Sequence, residues 1–251
     1  MRSFLFAACG TMFTFLMTVL GAASVFFFSK RLSPRTDRLC LGFAGGVMSA
    51  ASVFSLLLPA VEQVQQAGGA AWLTATGGFS LGAGLMIALD IWMAHRQTFA
   101  DCEARRRAML LGAVTLHNIP EGMAVGLAFA QAADAPGALL AAAAVALGIG
   151  VQNMPEGAAI ALPLRQGGMS LRRSFALGAL SGVVEPVFGM LAALAISLVS
   201  GVMPRLMAFS AGAMMWVVFS QMLPEAGKAR DGALAAAVGY ALMMALDLAL
   251  G

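Results

Sequence analysis

Apolar residues in this chain come neither on one helical face nor in alternation. They come in long runs with short polar interruptions. A stretch such as T-M-F-T-F-L-M-T-V-L-G-A-A-S-V-F-F-F (residues 11–28) is apolar all the way round a helix, so its surroundings must be apolar too. Spans of about 20 such residues match the thickness of a bilayer core. Eight of them are readable, near 4–29, 40–61, 70–94, 108–131, 137–164, 173–200, 203–224 and 233–250. The expected fold is therefore all-α, a bundle of eight transmembrane helices. Links such as Ser29–Asp37, Arg96–Arg107 and Gln166–Arg173 are short, so residues 1–251 read as one transmembrane domain without a soluble module. Arg2 followed by an apolar run imitates a secretory signal. The run lacks a convincing small-residue cleavage site and is read as a retained helix.

Composition supports a membrane setting. The chain is 60% hydrophobic and only 11% charged, with mean hydropathy +0.86; an ordinary soluble domain carries roughly 25% charged residues. Lipid is therefore the expected solvent for most of the surface. Cys9, Cys40 and Cys102 are unclustered and show no metal-binding spacing.

Charge placement adds an orientation. Thirteen of the 15 basic residues fall in the first, third, fifth and seventh links, including Lys30, Arg31, Arg35, Arg38, Arg96, Arg105–Arg107, Arg165, Arg172, Arg173, Lys228 and Arg230. By the positive-inside rule those links face the cytoplasm and both termini lie outside. The net charge of +3 is accounted for in this way and calls for no nucleic-acid partner.

Two motifs break the apolar pattern in mid-span: T-L-H-N-I-P-E-G (115–122) and G-V-Q-N-M-P-E-G (150–157). Burying such groups unpaired costs several kcal/mol. On a helix, His117 and Glu121 are i and i+4, and Asn118 and Glu121 are i and i+3, so the three can share a face. Pro120 frees the carbonyl one turn earlier, near Leu116, which is tolerable only against protein or a water-filled cavity. Gln152, Asn153, Pro155 and Glu156 repeat the arrangement in the next, antiparallel span, so the two motifs can meet near the midplane. Two facing carboxylates repel, and a divalent cation resolves the repulsion. Nitrogen, carboxylate and amide oxygen together suit zinc, iron(II), manganese or cadmium better than calcium or magnesium. Glu185, beside Pro186 in span six, is a third deep carboxylate. Glu62 and Asp247 toward one side and Asp90 toward the other outline a route with a mouth, a central site and an exit. Met48 adds a thioether on a small-residue face.

With H-N-I-P-E-G in span four, Q-N-M-P-E-G in span five, E-P in span six, F-A-G-G-V-M-S-A-A-S-V-F-S in span two and A-L-M-M-A-L-D at the end, the chain resembles the ZIP (Zrt/Irt-like) family of divalent-metal transporters, and its Gln152 is similar to the bacterial GufA-type branch. The resemblance implies a transporter rather than an enzyme, in a bacterial inner membrane, with zinc as the leading cargo, cadmium, iron(II) or manganese as others, and no organic cofactor. It implies a binuclear centre: Met48, His117, Glu121, Gln152 and Glu156 at one site, and Asn118, Glu121, Asn153, Glu156 and Glu185 at the second. It also implies inward flux by an elevator-like motion, in which spans four and five, flanked by two and seven, carry the metal against a scaffold of the remaining helices. Assembly as a homodimer is left open by the sequence.

Three departures from the family pattern stand out. Asn153 replaces the aspartate of some relatives, which removes a charge from the second site. Gln221 in F-S-Q-M-L-P-E stands where close relatives have glutamate. The third link carries only His95, Asp101, Cys102 and Glu103 in place of a histidine-rich loop. An intramembrane metalloprotease is excluded by the lack of a His-Glu-x-x-His motif. The remaining alternative is a proton-coupled carrier of a small organic solute. Such a site would want basic or aromatic groups beside the carboxylates, and no Lys or Arg lies near either motif.

Overall fold

The computed structural model describes residues 2–27, 33–95, 102–132 and 138–250. Lys30, Arg31, Arg96 and Asp101 fall outside the described residues, as do the side chains of Arg2, Cys102, Glu103 and Arg106. The described chain is helical, with no strand among these residues. Helix α1 (Arg2–Ala22) runs into a 3-10 turn at Ala23–Phe26. Helix α2 (Pro34–Ala51) passes through a π-helical stretch, Ser52–Leu57, into α3 (Leu58–Gln66). Then come α4 (Ala71–Ala94), α5 (Cys102–Ala132), α6 (Ala138–Gln166), α7 (Leu171–Ser181) and α8 (Val184–Leu194). Helix α9 (Ile196–Val217) continues through a second π-helical stretch, Val218–Met222, into α10 (Leu223–Ala226), and α11 (Arg230–Leu250) follows.

Among the described residues seven of these rods are long and apolar enough to cross a membrane: α1 with its 3-10 turn, α2–α3, α4, α6, α7–α8, α9–α10 and α11. The expected span missing from these seven is the fourth, which corresponds to α5. It has 31 residues, ample length, but His117, Asn118 and Glu121 interrupt its apolar run and charged residues crowd its first turns.

Proline explains most irregularities. A proline in a helix lacks the N–H that would serve the carbonyl four residues earlier and pushes that carbonyl aside. The two π-helical stretches lie just before Pro59 and Pro224, in the matching sequences F-S-L-L-L-P (54–59) and F-S-Q-M-L-P (219–224). Pro186 likewise removes the donor for Gly182, and the expected sixth span is broken there into α7 and α8. The seventh span begins at Ile196, not at 203, because the chain bends at Ala195 (φ −125°, ψ 44°) while Gly201 and Pro204 stay inside α9. Hydropathy cannot locate that bend, since the residues on both sides are apolar. Short links close where glycine permits: Gly168, at φ +89°, ends α6 and lets Met169 N–H bond Leu164 O at 3.2 Å.

Small residues sort the helices into two groups. Gly21 and Gly157 bring α1 and α6 into backbone contact, and Gly122 and Gly126 do the same for α5 and α8. In each case an added Cβ would collide with the partner's backbone. In the other group, Gly46 lies against Ala236 of α11, and Gly82 lies against Phe209 of α9. In lipid, where apolar burial between helices adds little, such close packing is the main source of association. Every glycine described as touching another helix's backbone stays within its own group, either α1, α5, α6, α7 and α8 or α2, α3, α4, α9, α10 and α11. Across the boundary, α5 packs on α9 and α4, and α6 on α2 and α11. Polar contacts that cross it include Arg105 Nε to Asp90 Oδ1 at 3.0 Å and Ser210 Oγ to Leu116 O at 2.9 Å. Helices α5 and α6 are thus flanked by α2 and α9, as expected, but their closest packing is with α1 and α8.

Candidate metal centre

The two Pro-Glu-Gly motifs face each other from α5 and α6. Pro120 and Pro155 sit inside continuous helices. The carbonyl that Pro120 leaves without an intrahelical donor, Leu116 O, accepts the Ser210 hydroxyl from α9, so the kink is satisfied by protein. That register brings His117 Nε2 to 3.1 Å from Glu121 Oε1 and 3.1 Å from Glu156 Oε1. One ligand atom from each of His117, Glu121 and Glu156 lies within 4.8 Å of the others, the spacing a single metal ion would span.

The cluster is sealed from solvent. His117 and Asn118 are fully buried, and Glu121, Gln152, Asn153 and Glu156 are at most 5% exposed. The ring nitrogen of His117 can donate one proton to one carboxylate. Its contact with Glu156 has hydrogen-bond geometry, and both oxygens of Glu121 are left without a donor. Glu156 Oε2, Asn118 Oδ1, Asn153 Oδ1 and Gln152 Oε1 are also buried and unpartnered. An unmatched buried polar atom normally costs about 1–3 kcal/mol. Here the unmatched atoms are oxygens of Glu121, Glu156 and the amides beside them in α5 and α6, and His117 Nδ1 is unmatched as well. Such a donor-poor cluster offers nitrogen and oxygen ligands to a cation.

Around this cluster stands a ring of paired groups. Asn118 Nδ2 donates to Ser181 O at 3.1 Å. Asn153 Nδ2 donates to Glu185 Oε2 at 2.7 Å, and Thr18 Oγ1 donates to Glu185 Oε1 at 2.9 Å. Gln152 Nε2 donates to Asp247 Oδ1, which also accepts from Ser55 Oγ at 2.7 Å. Met48 is fully buried in the apolar cluster that contains Ala113 and Val114 of α5. Its backbone carbonyl accepts the Ser52 hydroxyl at 2.8 Å.

The outlying acids divide. Asp247 joins the central network, whereas Asp90 is engaged by Arg105 and Glu62 is exposed. His95 is exposed, and its ring bonds the Ile91 carbonyl of its own helix. Reading the motifs alone missed Thr14 and Thr18 of α1, Ser55 and Ser181. Thr11, Thr14 and Thr18 carry a signal: they recur at i, i+3 and i+7 on an otherwise apolar helix, and all three are buried. Thr18 reaches Glu185, and Asn153 Nδ2 also reaches Thr14 O at 3.4 Å.

Comparison with known proteins shows the family. Residues 93–247 match the family described as ZIP Zinc transporter. The chain is 37% identical to the zinc transporter GufA of Myxococcus xanthus, over 93% of this chain and 94% of that protein. It is 35% identical to the zinc transporter ZIP11 of Bos taurus, over 98% and 97%. It is also 35% identical to the zinc transporter ZIPB of Bordetella bronchiseptica, over 98% and 82%.

Proposed function

The chain belongs to the ZIP zinc-transporter family, and from that premise we propose that it carries divalent transition-metal ions, zinc foremost, across a bacterial inner membrane into the cytoplasm. The observation that carries the reading is the buried cluster of His117, Glu121 and Glu156, with one ligand atom of each within 4.8 Å of the others, on helices whose Asn118, Gln152 and Asn153 also hold unpartnered amide oxygens. His117, Glu121 and Glu156 hold the ion, and the amide oxygens complete its shell. The same ligand types admit cadmium, iron(II) and manganese. Met48 and Glu185 belong to the family's wider binuclear pattern; Glu185 is joined to this cluster's Asn153, and Met48 lies in the apolar cluster beside α5.

In this reading all eight rods span the membrane as one domain, with α5 crossing inside the bundle and its polar face turned to the cargo. The basic links face the cytoplasm and both termini face outside. Alternating access follows from the two helix groups. The group containing α1, α5, α6, α7 and α8 carries the ion, and it slides against the group containing α2, α4, α9 and α11. The reading is supported by the confinement of close glycine packing to each group, which leaves the boundary without interlocked backbones. This grouping replaces the expectation that α2 and α9 accompany α5 and α6 in carrying the metal.

The test is flux. Purified protein in proteoliposomes should take up zinc or cadmium down a gradient, and a chelator outside should stop it. Uptake of an organic solute instead, insensitive to chelator, would sink the proposal.

A further inference from the structure

We propose that Glu185 orients a ligand of the cargo site without itself touching the ion: it holds the Asn153 amide by its nitrogen end, so that the amide oxygen faces the metal. This rests on reading the cluster as the cargo site. Three amides line that cluster, and all three are held alike. The nitrogen of Asn118 donates to Ser181 O, that of Asn153 to Glu185 and that of Gln152 to Asp247, while each amide's oxygen is buried and unpartnered.

Chemistry sets these orientations. A carboxylate or a backbone carbonyl only accepts, so the NH2 end must face it, and a flipped amide would set oxygen against oxygen. The Ser181 acceptor exists because the helix breaks. In a continuous helix its carbonyl would bond the Glu185 N–H, but that N–H bonds Gly182 O at 3.0 Å. The break before Pro186 therefore supplies an acceptor to the site.

Glu185 differs from Glu121 in its own partners. Its two oxygens each accept a donor, from Thr18 and Asn153, whereas both oxygens of Glu121 have none. On α5 and α6 the carboxylates left to face the ion are Glu121 and Glu156; Asp247 of α11 keeps Oδ2 unpartnered but spends Oδ1 on Gln152 and Ser55. Two negative charges match one divalent ion, so this chain carries one ion at a time, and the second position of the family's binuclear pattern is occupied by the Thr18–Glu185–Asn153 link.

The experiment uses the purified full chain and Zn2+ alone, reading bound zinc per chain, its dissociation constant and the X-ray absorption spectrum of the bound ion. Wild type should bind one Zn2+. In Glu185→Gln the new side chain can still accept from Asn153 and donate to the Thr18 hydroxyl. It should keep one ion, an unchanged zinc shell and an affinity within about threefold of wild type. Glu185→Leu removes the nearer acceptor of the Asn153 amide, leaving only the Thr14 carbonyl at 3.4 Å, and should weaken binding about tenfold or more. Loss of an oxygen from the zinc shell in Glu185→Gln would make Glu185 a ligand and overturn the assignment. So would weakening equal to that of Glu185→Leu, or two Zn2+ in wild type. If Glu185→Leu does not fold, the spectrum of Glu185→Gln decides alone. Wild type that binds no Zn2+ would overturn the cargo-site reading itself.

Discussion

Glu121 and Glu156 are the two acids of the cluster that retain buried oxygens without donors, and each loses more than a contact when truncated. Glu121→Ala leaves His117 facing a single carboxylate, and Glu156→Ala removes the hydrogen bond that fixes the imidazole. Each substitution should abolish zinc or cadmium uptake at equal membrane abundance, and near-normal uptake by either mutant would refute the assignment. Asn153→Asp works in the opposite sense. It replaces the donor 2.7 Å from Glu185 by a second carboxylate oxygen, and the two then repel unless a cation lies between them. Bound zinc per chain should rise from one to two, as measured by metal analysis of purified protein. An unchanged count would show that the loss of the aspartate is not what closes the second position.

At the scale of helices, kinks and close crossings are positions where one substitution reaches the whole site. Ser210 of α9 satisfies the carbonyl that Pro120 leaves over in α5. Ser210→Ala should destabilise the protein by about 1 kcal/mol, visible as a lower melting temperature in detergent, because the part-buried Leu116 carbonyl then loses its partner. Gly126 permits backbone contact between α5 and α8. Gly126→Leu should push the two apart and sharply reduce the yield of monodisperse protein. A normal yield would mean that the α5–α8 crossing is less tight than described.

For the whole molecule, the relevant feature is the boundary between the two helix groups. Arg105 of α5 and Asp90 of α4 face each other across it at 3.0 Å. Cysteines at these two positions, in a background free of Cys9, Cys40 and Cys102, can be joined by a short bifunctional thiol reagent. Cross-linking should stop zinc flux while leaving zinc binding intact, because the side chains that hold the ion all lie on α5 and α6 and only their travel is blocked. Flux that survives complete cross-linking would rule out sliding along this boundary.

The sequence alone was enough for the membrane setting, the all-helical class and the three residues that meet in the buried cluster, and the reason is local. Long apolar runs admit no other solvent, and His117, Glu121 and Glu156 advertise themselves by interrupting such runs at helical spacing. The matching of the two motifs across antiparallel helices follows from the same spacing. Tertiary structure decided what depends on partners distant in the chain. Hydropathy does not show that α6 packs on α1, or that Thr18 of α1 and Asn153 of α6 both bind Glu185, since those residues lie far apart in the chain and meet only because Gly21 and Gly157 let the backbones touch. The break between α7 and α8 is signalled in the sequence only by Pro186, since hydropathy reads residues 173–200 as one continuous span. It takes the packing of α5 against that break to turn a missing helical hydrogen bond into the acceptor that holds Asn118.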